Sequence, residues 1–274
     1  MKSIAIGAFD GIHLAHQELI KKADGVLVIE KGYSSLTPGW KRALYTKKPT
    51  FFYYFKDIKN LTAKEFILKL KSDFKELEKI VVGYDFIFGK NRSADANTLK
   101  ELFDGEVEVV DEIKIDGVSI HSRVIREAIL NNKIEFANKM LGRFYRADGK
   151  EIKGLGLGSK ELVPTINLEV NRYTLPKGVF ATNIYFENLC NKEIKKYKGV
   201  TFIGNRVSVD NSFSVECHIL EDFEKTKNTT IWIEFIKFIR ENKKFNSLKE
   251  LKSQIYKDII RAKEILTQSD RIKR

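Results

Sequence analysis

His13 and His16 stand three residues apart in the stretch Gly7-Ala8-Phe9-Asp10-Gly11-Ile12-His13-Leu14-Ala15-His16. The run before it, SIAIGA, is apolar enough for a buried strand, and helical periodicity follows it. Gly7 and Gly11 let backbone approach a ligand closely where strand turns into helix. Residues three apart share one face of a helical turn, so both imidazoles and the first helical N–H groups converge on one spot. Such a spot suits a phosphate, and imidazole donors stabilise charge developing on a phosphoryl group. No third ligand of suitable type stands nearby in the sequence, which argues against zinc. By itself H-x-x-H is as a rule a structural pair; the signal lies in the whole strand–turn–helix unit.

In the other half, Ser214-Val215-Glu216-Cys217-His218-Ile219-Leu220 reads as a strand. Period two puts Glu216 and His218 on one face and Val215, Cys217 and Ile219 on the other. Gly154-Leu155-Gly156-Leu157-Gly158 is a glycine-rich loop suited to folding over phosphates, although G-x-G-x-G alone also describes a plain turn.

These residues need elements to hold them. Strand-like runs at Ser3–Ala8, Gly25–Glu30, Lys79–Val82 and Glu106–Val110 alternate with helical patterns. The helices span Ile12 to Ala23, Thr62 to about Leu70, and a segment starting near Asn97, with Thr62 and Glu65 at capping-box spacing. Such alternation predicts a parallel sheet covered on both faces, with ligands at the carboxyl ends of the strands. Helices over Ser122–Leu130 and Ile134–Leu141 close this half. Gly142 is a helix stop, and the domain division is placed there, at GRFYRADG: 1–142 and 143–274. Beyond it VPTINLEV, GVFATNIYF, YKGVTFIG, FSVECHILE and TTIWIEF predict a small antiparallel barrel or sandwich. A helix ends the chain, with a capping box at Ser247 and Glu250 and an apolar stripe of Leu248, Leu251, Ile255, Ile259, Ala262 and Leu266.

Composition narrows the class. The 274 residues carry a net charge of +12 and are 43% hydrophobic with four prolines, which excludes a disordered chain. No run approaches the ~18–20 apolar residues of a membrane-spanning helix. MKSIAIGAFDG leads straight into a strand without a cleavable signal, and two cysteines are too few for a disulfide framework. A cytoplasmic, soluble protein is expected, with neither a membrane nor a nucleic acid as partner. The charge splits as 23 basic and 20 acidic side chains up to Gly142 and 26 and 17 beyond, favouring anionic ligands. An RNA-binding reading rests on Phe51-Phe52-Tyr53-Tyr54-Phe55 beside Lys47 and Lys48, but no RNP-like or GxxG signature accompanies them. A buried strand is the simpler expectation for that run.

The histidine turn resembles the GxFDGxHxGH signature of the bacterial bifunctional riboflavin kinase and FMN adenylyltransferase family, the FAD synthetases, with Ala15 in place of glycine. Leu36-Thr37-Pro38 resembles its LTP segment. Val82 to Asp95 resembles VGxDFRFGxxRxGD, with Ile87 and Ala94 departing, and Ile120 to Arg126 resembles ISSTxIR, with His121 and Arg123 departing. In the second half Pro164-Thr165-Ile166-Asn167 resembles PTAN, Ser214–Leu220 resembles VEVHIL, and Phe238 to Leu248 resembles FLRxExKFxSL. Phe202 to Ser208 matches NIGxRPTF only in Ile203, Gly204 and Arg206; Ser159, Leu162 and Val163 also depart.

The resemblance implies a Rossmann-like α/β nucleotidyltransferase domain followed by a riboflavin-kinase-like antiparallel β-barrel with a C-terminal helix. It implies two reactions: riboflavin and ATP give FMN, then FMN and ATP give FAD and pyrophosphate, both with Mg²⁺. His13 and His16 are the expected catalytic pair of adenylylation. Gly7, Phe9, Asp10, Gly11, Ser122 and Arg126 are expected to bind nucleotide, and Asp85, Phe86 and Arg92 to line the flavin cleft. In the kinase half, Gly154 and Gly158 are expected over the phosphates. Thr165 and Asn167 offer hard oxygen donors to Mg²⁺. Glu216 is the expected base, since the riboflavin 5′-hydroxyl is a poor nucleophile. The departures in this half leave open an adenylyltransferase with a weakened kinase.

Overall fold

The computed structural model describes residues 1–33, 35–153, 163–208, 210–223 and 229–272; Gly154 and Gly158 lie outside them. Contacts divide the chain into two units, Met1–Ile125 with Met140–Gly142, and Arg126–Lys139 with Arg143–Arg274.

The first unit begins with β1 (Ser3–Gly7), α1 (Leu14–Lys21), β2 (Gly25–Glu30), the short α2 (Ala43–Thr46), β3 (Thr50–Tyr54) and the one-turn α3 (Phe55–Ile58). It continues through α4 (Ala63–Asp73), β4 (Lys79–Gly83), a small hairpin of β5 (Ile87–Phe88) and β6 (Ala94–Asp95), α5 (Ala96–Leu102) and β7 (Glu106–Val110). A second hairpin, β8 (Lys114–Ile115) and β9 (Val118–Ser119), leads to α6 (Ser122–Leu130), which leaves the first unit after Ile125, and α7 (Ile134–Leu141), which belongs to the second unit as far as Lys139. The five long strands form one parallel sheet in the order β3-β2-β1-β4-β7. Alternation along each strand supplies both faces. Ile4, Ile6, Leu27, Ile80 and Val82 pack with Phe66, Ile67 and Leu70 of α4 and Leu99 of α5. Ala5, Val26, Val28 and Val81 point the other way, onto Leu19 and Ile20 of α1. Each fully buried Leu or Ile contributes roughly 1.5–3 kcal/mol over its exposed state.

The second unit contains β10 (Tyr145–Ile152), β11 (Ile166–Glu169), β12 (Gly178–Asn188), β13 (Ile194–Asn205), β14 (Phe213–Ile219), β15 (Thr229–Arg240) and α8 (Leu248–Ile272). The strands close into an antiparallel barrel in the order β10-β11-β14-β13-β12-β15. Phe180, Ile184, Ile203, Cys217, Ile233 and Phe235 are among its fully buried side chains. Ala262, Ile265 and Leu266 of α8 cover Val179, Val200 and Ile236 on the barrel wall. Asp258 of α8, 4% exposed, takes Arg240 Nε at 2.9 and 3.0 Å and Nη2 at 2.8 Å, fastening the helix to the end of β15.

Several expectations need correction. The first helix starts at Leu14 because Ile12 adopts φ 40° and His13 becomes its N-cap. The aromatic run is a strand, but at the sheet edge: Phe51 and Tyr54 are 40% and 56% exposed. Of the barrel or sandwich alternatives, the closed barrel forms. Its first strand, Tyr145–Ile152, comes from the stretch read as a boundary, where Gly149 and interspersed charges hide the strand signal. A Cβ at Gly149 would come to 3.0 Å from the Leu168 and Val170 side chains, so a larger residue would fit tightly there. In α8 the buried stripe drifts, so Leu248 is 48% exposed and Ile265 joins the core.

Candidate active sites

The histidine turn leaves β1 through a run of left-handed backbone: Phe9 at φ 52°, Gly11 at 89° and Ile12 at 40°. A side chain at Gly11 would be strained by that φ, and its Cβ would press against Leu36 at 3.0 Å. Phe9 is wholly buried, and its ring meets His16 edge-on at 5.1 Å. Its part in the site is therefore to support the histidine from below. His13 Nδ1 accepts the His16 N–H at 3.4 Å, capping α1, and the two imidazoles stack with centroids 3.5 Å apart.

The motifs interlock through Asp10. One carboxylate oxygen accepts the Leu36 and Thr37 N–H groups at 3.0 Å, the other the Ser35 N–H at 3.2 Å. Its carbonyl accepts the Ser122 hydroxyl at 2.7 Å. The Asp10 carboxylate thus acts on the turn itself, joining the LTP segment to the signature, while Ser122 joins the start of α6.

A cavity of about 560 Å³ opens here, lined by Gly7, His13, His16, Asp85, Phe86, Arg92, His121 and Ser122. It lies at the carboxyl ends of β1 and β4, where the strand order reverses, which is the usual ligand position on such sheets. Phe86 stacks on Phe88 with centroids 5.5 Å apart, while Asp85 and Arg92 are exposed. At the rim the Tyr84 hydroxyl lies 3.1 Å from His121 Nε2 and 3.3 Å from Glu112. Burial first, then Glu112 and Asp85, hold the Tyr84 phenol above its ordinary pKa. Arg126 lies one helical turn beyond Ser122 on α6 and groups by contacts with the second unit.

Sequence reasoning passed over Arg42. This fully buried guanidinium donates to the Ala8 carbonyl at 2.6 Å and pairs with Glu30 at the end of β2, bracing the signature turn from behind. Nothing in the spacing of a lone arginine after a proline announces that role.

In the barrel, strand register assembles the site. Asn167 pairs with Glu216, and Glu216 with Phe202, so residues of three neighbouring strands share one face. His218 Nδ1 lies 2.8 Å from the Pro164 carbonyl, which can only accept; the ring donates and pins the start of the Thr165 segment to β14. A cavity of about 140 Å³ is lined by Thr165, Arg206, Glu216, His218, Arg240 and residues of α8. Ser208, where the family pattern has threonine, keeps a hydroxyl that accepts the Phe245 N–H at 2.9 Å. Burial raises the Cys217 thiol to about 12, so it serves as packing on the opposite strand face.

Fold and sites together define a two-module nucleotide-transfer enzyme, with a Rossmann-like sheet and a closed barrel in one chain. The model for riboflavin kinase matches residues 141–266, and that for FAD synthetase residues 46–124, beginning after the histidine turn. Bifunctional riboflavin kinase/FMN adenylyltransferases are similar over nearly the whole length. The one from Haemophilus influenzae is 29% identical, covering 95% of this chain and 93% of its own. The one from Listeria monocytogenes is 28% identical, covering 94% and 90%. A crystal structure described as a macrolide-efflux protein from Streptococcus pneumoniae superposes with a TM-score of 0.79 at 27% identity, covering 94% of this chain and 92% of that one. The chain thus matches both modules of the bifunctional riboflavin kinase/FMN adenylyltransferases and is similar to them over nearly its whole length.

Proposed function

We propose that this chain converts riboflavin to FMN in the barrel unit and FMN to FAD in the α/β unit, each step consuming ATP. The observation that carries the reading is the pairing of two unlike sites in one chain. One stacks two imidazoles at the carboxyl end of β1, and the other presents Glu216 directly across from Asn167.

In adenylylation a phosphate oxygen of FMN forms the bond to the α-phosphorus of ATP, and the bond to the β-phosphate oxygen breaks to release pyrophosphate. The nucleophile is already an anion, so no proton has to be removed, and positioning with charge neutralisation suffices. His13 and His16 hold the phosphates and stabilise the transition state, Ser122 and Arg126 contact the nucleotide, and Asp85, Phe86 and Arg92 line the flavin side. Gly7, Phe9, Asp10 and Gly11 build the turn that aims the imidazoles.

In phosphorylation the 5′-oxygen of riboflavin bonds to the γ-phosphorus, its bond to the ADP oxygen breaks, and Glu216 takes the hydroxyl proton. Thr165 and Asn167, a hydroxyl and an amide carbonyl beside Glu216, suit Mg²⁺ held mainly by phosphates and water. When bound, Mg²⁺ supplies charge neutralisation on the phosphates. The domain division near Gly142, the glycine loop over the phosphates, the cytoplasmic setting and the exclusion of nucleic acid as partner belong to the same reading.

Incubation with riboflavin, ATP and Mg²⁺, followed by chromatographic separation of the flavins, tests it. FAD accumulating through FMN is expected. FAD from FMN but no product from riboflavin would confine the activity to adenylylation, and no product from either flavin would overturn the reading.

A further inference from the structure

The two carboxylate oxygens of Glu216 have unlike surroundings. Oε1 accepts the Ser214 hydroxyl at 2.9 Å and faces Arg206 Nη1 at 3.5 Å. Among the described residues Oε2 has no hydrogen-bond or ion-pair partner. Arg206 is itself braced. Its Nε donates to Ser212 Oγ at 3.1 Å, and its Nη2 donates to the same hydroxyl and to Asp210 Oδ2 at 3.1 Å. Ser212 in turn donates its N–H and hydroxyl to Asp210. With Nε and Nη2 occupied, the planar guanidinium has one direction left for Nη1, and that direction is Glu216.

The geometry points to Arg206 as a positioning residue for phosphorylation: it holds one oxygen of Glu216 so that the other faces the reacting hydroxyl. The inference rests on Glu216 being the base. A glutamate carboxylate turns almost freely about its last bond, in a broad, two-fold well. A base must sit within about 2.6–3.2 Å of the proton it removes, so a freely turning carboxylate spends much of its time misaligned. Ser214 and Arg206 together remove that freedom. The Asp210–Ser212–Arg206 chain carries the restraint back into the loop between β13 and β14.

Initial rates of FMN formation by the full chain, with riboflavin, ATP and Mg²⁺ varied, test this. Arg206→Met is expected to lower kcat by about tenfold or more, the cost of a misplaced base, with both KM values within about twofold of the parent. Arg206→Lys, which keeps the charge but loses the fork, recovers part of the loss. In a Glu216→Gln background, Arg206→Met costs nothing further, because its effect passes through that carboxylate. FAD formation from FMN and the melting temperature report folding. Should Arg206→Met melt early, Arg206→Lys carries the same test at smaller amplitude. Additive losses in the double variant, or a loss confined to KM for ATP, would overturn the proposal and make Arg206 a direct phosphate ligand. Full phosphorylation by Glu216→Gln would instead overturn the base assignment, and the inference with it.

Discussion

The two candidate sites are built on opposite plans. In the α/β unit the ligand cavity sits at the strand-order switch of a parallel sheet and is served by a turn, with the nearest signature carboxylate, Asp10, directed at backbone N–H groups. In the barrel the cavity lies beside α8 and is served by the pleat of neighbouring strands, with a carboxylate presented on their common face. With the two reactions proposed for these sites, the difference follows the nucleophile. A phosphate attacks as an anion and has no proton to give up; a hydroxyl has to lose a proton, and a base beside it is required.

The sharpest way to break this contrast is a pair of substitutions read on both reactions. Glu216→Gln is expected to slow FMN formation by ~10²–10⁴-fold, the usual worth of a general base, and to leave FAD formation from FMN unchanged. His13→Ala is expected to do the reverse, by roughly 10²–10³-fold, as for other lost transition-state donors. Losses of both activities in either variant would mean that the sites are not separate in the way described.

A smaller effect tests how the barrel cavity keeps its helical wall. Asp258→Ala leaves the Arg240 guanidinium without its buried carboxylate, at a cost of about 3 kcal/mol, the lower end for broken buried pairs because Arg240 is partly exposed. Its melting temperature should fall and KM for riboflavin rise, while FAD formation from FMN persists. An unchanged melting temperature would show that α8 is held by its apolar face alone.

The smallest effect separates the units by acid. In the α/β unit hydrogen bonds hold several carboxylates below their ordinary pKa values. Asp24 is held by Ser3, Glu65 and Asp95 by backbone N–H groups at helix starts, and Glu108 by Lys22 and Lys79. In the barrel unit Asp210, bonded to Ser212, is likewise lowered against its own desolvation. A lowered folded-state value gives stability that is full above the unfolded pKa, about 4, and is lost as pH falls through the folded value. FMN adenylylation remaining after brief incubation between about pH 5 and 3 should therefore decline before riboflavin phosphorylation does. The opposite order would show that acid stability is governed elsewhere.

Much of this was legible from residue order. Apolar runs identified β1, β2 and β4, alternating valines identified β7, and the Thr62–Glu65 capping box forms as its spacing predicts, with Glu65 accepting the Thr62 N–H at 2.7 Å. Local signals of this kind are carried by residues a few positions apart. The strand Tyr145–Ile152 escaped because its partners, β11 and β15, lie far along the chain and a glycine sits within it. Cooperation between motifs escaped for the same reason.

Types and spacing alone determined that the chain carries an imidazole pair on a glycine turn and a glutamate on a period-two strand; the phosphate-handling roles expected of them came from the family resemblance. Those choices are written in covalent neighbours. Only the folded chain decided that Asp10 builds the turn, that Arg42 braces it, and that Asn167 stands opposite Glu216 with Arg206 on one oxygen. Hydrogen bonds and ion pairs act over about 3 Å, and residues remote in sequence come that close only when register and packing bring them there.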